Sequence, residues 1–186
     1  MSKEIYDLVT KFGGVLKDFP EVRYAGDPVL RLPAQEVSTE EGIKLGNRLG
    51  EILMRYRKAV GYGRGFAAPQ IGENKAVFVT FVDGELQIFV NPVIIERSKQ
   101  TNFYRELCLS SGIMVVDTER PENIIMEYKD KRGERQSGKF EGFLARLYQH
   151  EEAHLRGILN LDEATKGGIG FALFDPLKER LRQTRG

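Results

Sequence analysis

The chain of 186 residues has only two histidines, His150 and His154, and both fall inside "FEGFLARLYQHEEAHLRGIL". Apolar residues in that run recur at helical spacing. The stripe through positions 143, 147, 150 and 154 holds Phe143, Leu147 and both histidines. The helix therefore turns its imidazoles toward the interior, where a polar ring needs a partner. Residues four apart on a helix lie about 5–6 Å from one another at Cβ, so a single metal ion can reach both rings. This feature constrains the fold: the rest of the chain must enclose the helix and supply groups for its buried side.

His150, Glu151 and His154 form H-E-x-x-H, the metallohydrolase pattern in which the glutamate can reach water at the metal and act as general base. Two imidazoles are too few, because a catalytic site has three protein ligands and one open position. The third must come from elsewhere, and no further histidine exists. The sole cysteine, Cys108, lies in "YRELCLSSG". A single cysteine excludes an internal disulfide. It is a buried hydrophobe, a reactive thiol, or a ligand whose thiolate suits zinc or ferrous iron.

Lys+Arg is 28 and Asp+Glu is 27. This near-neutral balance gives no reason to expect direct binding of nucleic acid or an anionic membrane. No apolar run approaches the roughly 20 residues needed to span a bilayer, and the N-terminus lacks a secretory apolar region, so a cytoplasmic location is expected. Length and composition suit a single domain over 1–186. "EIYDLVTKF" reads as a helix within an N-terminal extension, residues 1–20, and three prolines make 18–37 irregular. Ser38 and Glu41 form a capping box opening a helix of about six turns. "GYGRGFAAPQIG" reads as a loop. "KAVFVTFV" and "ELQIFVNPVII" read as a hairpin turning at Asp83-Gly84, and "ENIIMEYKD" and "ERQSGKF" as a second hairpin. Residues 166–186 form a C-terminal tail, either flap or strand at first, with a short helix after Asp175-Pro176. Strands in the middle flanked by helices make an α+β fold.

"GRGFAAPQIG", "ELCLS" and "QHEEAHLRG" resemble, in order and spacing, the three signature motifs of the peptide deformylases. The resemblance runs over roughly residues 22 to 165. It implies antiparallel strands wrapped around a central H-E-x-x-H helix. It implies Cys108, His150 and His154 as ligands of one divalent ion, Fe(II) by expectation, with Zn(II) or Ni(II) as alternatives. The implied reaction is removal of the N-formyl group from formyl-methionine at the start of nascent polypeptides, a step that could take place on the ribosome. Glu151 would be the general base. Gln70 and the backbone N–H of Leu109 would donate to the oxyanion. Gly63 and Gly65 would let the loop pair with the peptide, and Glu106 would be a supporting carboxylate. Phe143, Leu147, Arg146 and Leu107 would line the substrate site.

The sequence departs from the family pattern at three places. Leu107 stands where the second motif has glycine, Ala153 where the third has aspartate, and Arg146 where the methionine pocket has an aliphatic residue. No arginine follows Cys108 until Arg120, which resembles the family's later, structural one. Arg146 either snorkels to the surface or makes the pocket accept a polar or acidic side chain. Alternatives to the leading reading are a paralogue deformylating another peptide or small amine, an endopeptidase, and a catalytically silent metal- or peptide-binding homologue. The sequence leaves the oligomeric state open.

Overall fold

The computed structural model describes residues 3–172. Its helices are α1 (Lys3–Asp18), α2 (Thr39–Val60) and α3 (Gly142–Leu155). Its strands are β1 (Gly65–Ala67), β2 (Val77–Val82), β3 (Glu85–Arg97), β4 (Thr101–Leu107), β5 (Met114–Pro121), β6 (Asn123–Lys129), β7 (Arg135–Glu141) and β8 (Ala164–Phe171). All pairings between strands are antiparallel, in a five-stranded sheet ordered β1-β2-β3-β6-β7 and a three-stranded sheet ordered β4-β5-β8. The short helix expected after Asp175-Pro176 lies outside the described residues.

The centre of the five-stranded sheet, along β2 and the middle of β3, is buried on both faces, and the pleat distributes its side chains between two cores. Val77, Val79, Ile88 and Val90 face α2 and pack with Leu45, Leu49, Ile52 and Leu53. Phe78 and Phe89, one residue out of phase, face α3 and pack with Ala145, Tyr148 and Leu155. The register Val77↔Val90, Phe78↔Phe89, Val79↔Ile88 keeps each set together. That double burial is why "AVFVTFV" reads as a continuous apolar run. Asp83 and Gly84 both take positive φ, 52° and 85°, as the expected two-residue hairpin turn requires.

Helix α2 begins where its cap predicts: the Ser38 hydroxyl accepts from the Glu41 N–H at 3.2 Å. Its contact face is unusual. Gly42, Gly46 and Gly50 form a stripe four residues apart, and a Cβ at any of them would overlap Val90, Ile88 or Leu86 of β3 respectively. The helix backbone thus lies directly on the sheet.

Helix α3 sits at the centre. It packs on strands of the first sheet, β1, β2, β3, β6 and β7, and on β5 of the second. This is the wrapped arrangement expected from the sequence, although the helix ends at Leu155, earlier than its periodicity suggests. Three of its strand neighbourhoods were not foreseen. β1 lies in the glycine-rich segment read as a loop, and β4 and β5 flank Cys108 where no strand was read. The start of the C-terminal tail is resolved in favour of a strand, β8, paired with β5. Among the described residues, no helix is long and apolar enough to cross a membrane.

Candidate active site

Cys108 follows the last residue of β4, and His150 and His154 occupy successive turns of α3. Packing of α3 against the second sheet brings the three together: their ligand atoms all lie within 4.8 Å of one another. The Cys108 Sγ is 3.3 Å from His154 Nε2. Bonds from such donors to one ion are about 2.0–2.3 Å, so the separations are close to what a shared ion requires. Burial pushes the Cys108 thiol up, but the two imidazoles outweigh it and hold it well below the usual thiol range.

A ligating imidazole is normally oriented by a hydrogen bond at its other nitrogen. His150 has that bond: its Nδ1 lies 2.9 Å from Glu106 Oε2, which leaves Nε2 for the centre. Glu106 is buried and is itself held by Arg120, whose Nε and Nη2 donate to Oε1 and Oε2 at 2.7 and 2.9 Å. Burial raises the Glu106 carboxyl, and Arg120 and His150 more than reverse this, so it stays ionised. Arg120, which the resemblance reads as structural, is buried, and its Nη1 reaches Glu163 at 2.8 Å. Ala153, where the family pattern has aspartate, is a buried small side chain. The thiolate, the two imidazoles and the carboxylate behind one of them therefore fit a divalent ion.

Glu151 is buried beside this cluster. Burial pushes its carboxyl up to about 7, against the pull of both imidazoles. Among the described residues its Oε2 has no hydrogen-bond partner. Gln70, at the end of β1 in a short 3-10 turn, is oriented by its own backbone: Oε1 accepts from the Ala67 N–H at 2.9 Å. The amide nitrogen must then face the other way, where it lies 3.1 Å from Ser110 Oγ and 3.6 Å from Cys108 Sγ.

These groups line one cleft with about 240 Å³ of room for water. Gly63, Gly65, Gln70, Leu107, Cys108, Leu109, Phe143, Arg146, Leu147, His150 and Glu151 all border it, so the cleft gathers the residues singled out in the sequence apart from His154 behind it. The sequence missed one wall, made by Ile52, Leu53 and Tyr56 of α2 together with Tyr62, and another formed by Tyr104. The apolar periodicity of α2 marked those residues for a core and carried no sign that they also border a cleft.

Two residues have surroundings that the sequence did not show. Gly65, expected to make room for a peptide, borders the cleft and also makes room for the Glu151 carboxylate, which a Cβ there would overlap. Arg146 neither snorkels nor offers its charge to the cleft. It is buried, with Nη1 donating to Glu106 Oε1 at 2.7 Å and Thr118 Oγ1 at 2.9 Å, and Nη2 to the Asn102 carbonyl at 2.6 Å. An acidic substrate side chain would have to displace these acceptors.

A thiolate and two imidazoles around one point, with a buried glutamate and an amide donor beside it, are the parts of a single-metal hydrolase. The family model for polypeptide deformylase matches residues 19–168. The peptide deformylase of Thermotoga neapolitana is 38% identical over 143 residues, 76% of this chain and 84% of that one. The crystal structure of the Thermotoga maritima peptide deformylase superposes with a TM-score of 0.72 at 36% identity, covering 78% of this chain and 97% of that chain. A class I type b peptide deformylase from Acinetobacter baumannii, bound to Met-Ala-Ser, gives 0.69 at 30% identity, covering 76% and 96%. The chain belongs to the peptide deformylase family of enzymes.

Proposed function

We propose that this enzyme hydrolyses the N-formyl group from formyl-methionine at the start of nascent polypeptides, with Cys108, His150 and His154 holding the metal. The observation that carries this reading is the convergence of Cys108, His150, Glu151 and Gln70 on one cleft bordered by two edge strands, β1 and β4, with His154 completing the Cys-His-His cluster. An edge strand has unpaired backbone groups to which an extended peptide can add. The relative bound to Met-Ala-Ser, the sequence of such a product, supports the substrate class. A divalent ion at the ligand set would polarise the scissile carbonyl and lower the pKa of water; we take it to be Fe(II), with Zn(II) or Ni(II) able to replace it. Glu151 accepts a proton at its free carboxylate oxygen from the attacking water and returns it to the leaving amine nitrogen. The Gln70 Nε2–H and the Leu109 N–H donate to the oxyanion as it forms. Gly63, Leu107, Phe143, Arg146 and Leu147 border the peptide. A cytoplasmic enzyme meeting chains as they leave the ribosome accords with this chemistry.

The test is deformylation of formyl-Met-Ala-Ser by protein purified anaerobically and assayed for bound metal, alongside acetyl-Met-Ala-Ser and formylated peptides with other first residues. Glu151→Gln should lower kcat by about 10²–10⁴-fold, the usual worth of a general base, while the protein still binds metal. Equal turnover by Glu151→Gln would overturn the mechanism. A formylated peptide preferred over formyl-Met would overturn the substrate.

A further inference from the structure

Arg146 has a set of contacts that the reaction described above does not use. From α3, one helical turn before His150, its side chain lies along β4. Asn102, Tyr104 and Glu106 are alternate residues of that strand, so they share one face. Arg146 touches all three. Nε and Nη2 lie 3.2 and 2.6 Å from Asn102 Oδ1, Nη2 also reaches the Asn102 carbonyl at 2.6 Å, the guanidinium carbon lies 5.3 Å from the Tyr104 ring centroid, and Nη1 is 2.7 Å from Glu106 Oε1. A further bond from Nη1 reaches Thr118 Oγ1 of β5 at 2.9 Å. A guanidinium has five N–H donors, and these acceptors engage them.

A carboxylate offers about four acceptor sites. Arg120 takes one on each oxygen of Glu106, His150 takes the second on Oε2, and Arg146 takes the second on Oε1. With all four occupied, Glu106 has one orientation, and so has the imidazole it holds. The strand that Arg146 fastens leads directly into Cys108, and the helix it comes from carries both histidines.

We propose that Arg146 is a positioning residue for the metal site: it fastens β4 to α3 and locks Glu106 against His150, so setting Cys108 against the two imidazoles. This rests on the reading of Cys108, His150 and His154 as the metal ligands. Arg146 acts through Glu106 and through the strand, and makes no contact with the reacting atoms.

The experiment measures metal binding to stripped protein. Zn(II) affinity is read by competition with a coloured chelator, and Co(II) is added separately for its thiolate charge-transfer and d–d absorption. Arg146→Leu should weaken Zn(II) binding about tenfold, the low end for loss of a group supporting a ligand. It should shift the Co(II) bands and lower kcat for formyl-Met-Ala-Ser more than it changes KM. Arg146→Lys should recover part of the affinity, since an ammonium reaches Glu106 but cannot also span to Asn102 and Thr118. Asn102→Ala, which removes one of the far anchors, should move the bands in the same direction by less. Should Arg146→Leu fail to fold, the other two variants decide: wild-type affinity and bands in both overturn the proposal. Unmoved metal binding in Arg146→Leu, with changed KM values ranked by the first residue of the peptide, leaves Arg146 a pocket wall alone and overturns the proposal too. Wild-type protein that binds neither ion overturns the metal reading along with it, whereas normal wild-type binding with unmoved variants overturns the proposal alone.

Discussion

The space beside Gly65 belongs to Glu151, 86 positions further along the chain. A methyl group there overlaps the carboxylate, so Gly65→Ala must push either β1 or the Glu151 side chain, the proposed general base, aside. Misplacement of a reacting group by about 1 Å can cost about a hundredfold in rate. We expect Gly65→Ala to lower kcat by at least that factor with metal content and melting temperature little changed. Stopped-flow deformylation with metal analysis on the same sample checks this, and a fall in bound metal matching the loss of rate would refute it. The same residue marks a limit of sequence reading. H-E-x-x-H, E-x-C-L-S and A-A-P-Q singled out Cys108, His150, His154, Glu151 and Gln70, which the fold brings to one site, because few other side chains offer such chemistry. A glycine's reason for being bare lies in a partner that local pattern does not contain. Arg146 is similar: its acceptors at 102, 106 and 118 lie 28 to 44 positions away, so position alone could place it in a pocket but could not show its donors engaged.

Helix α2 sets two opposing effects of glycine against each other. In a helix, alanine is favoured over glycine by about 0.5–1 kcal/mol. Gly13 in α1 has nothing within 4 Å of an added Cβ, so Gly13→Ala should stabilise by roughly that amount. At Gly46 the added Cβ overlaps Ile88, and overpacking costs about 1–3 kcal/mol. Overpacking wins, and Gly46→Ala should destabilise by about 1–2 kcal/mol in urea unfolding. Opposite signs for the two substitutions are the expected result; a stabilised Gly46→Ala would mean that α2 does not lie directly on β3. Among the elements, α2 was legible from its apolar period and its cap, β2 and β3 as apolar runs about a marked turn, and the β6-β7 hairpin from its own marked turn. The second sheet was not. β4 and β5 bury Glu106, Thr118 and Arg120, so charged and polar residues occupy positions where a strand normally shows its apolar side. The alternation that identifies a half-buried strand is masked by the ion network supporting the site. β1 was missed because a three-residue strand is too short to show a period.

At the scale of the molecule, the proposed ligands come from different layers. Cys108 extends from the three-stranded sheet, while α3 packs mainly on the five-stranded one. An ion bound by all three residues would therefore tie the layers together, and ligand binding to the native state stabilises it by mass action. Removing the metal with a chelator should abolish turnover and lower the melting temperature. Amide hydrogen exchange should quicken in β4 and β5 while α2, β2 and β3 stay protected. Recovery of both activity and protection on adding Fe(II) or Ni(II) completes the test. Uniform loss of protection across both sheets would show that the ion supports the whole fold instead of this junction.

The glycine stripe of α2 also bears on how the molecule comes into being. Each glycine makes an isolated helix less favourable by about 0.8–1.0 kcal/mol relative to alanine, and this helix has three on the very face that meets β3. Residues 39–60 are synthesised before the β2-β3 hairpin that they pack against. When they emerge, the surface for which that bare face is shaped does not yet exist. The order of synthesis runs against the order of stabilisation: the packing that favours this backbone in α2 becomes available only with the hairpin.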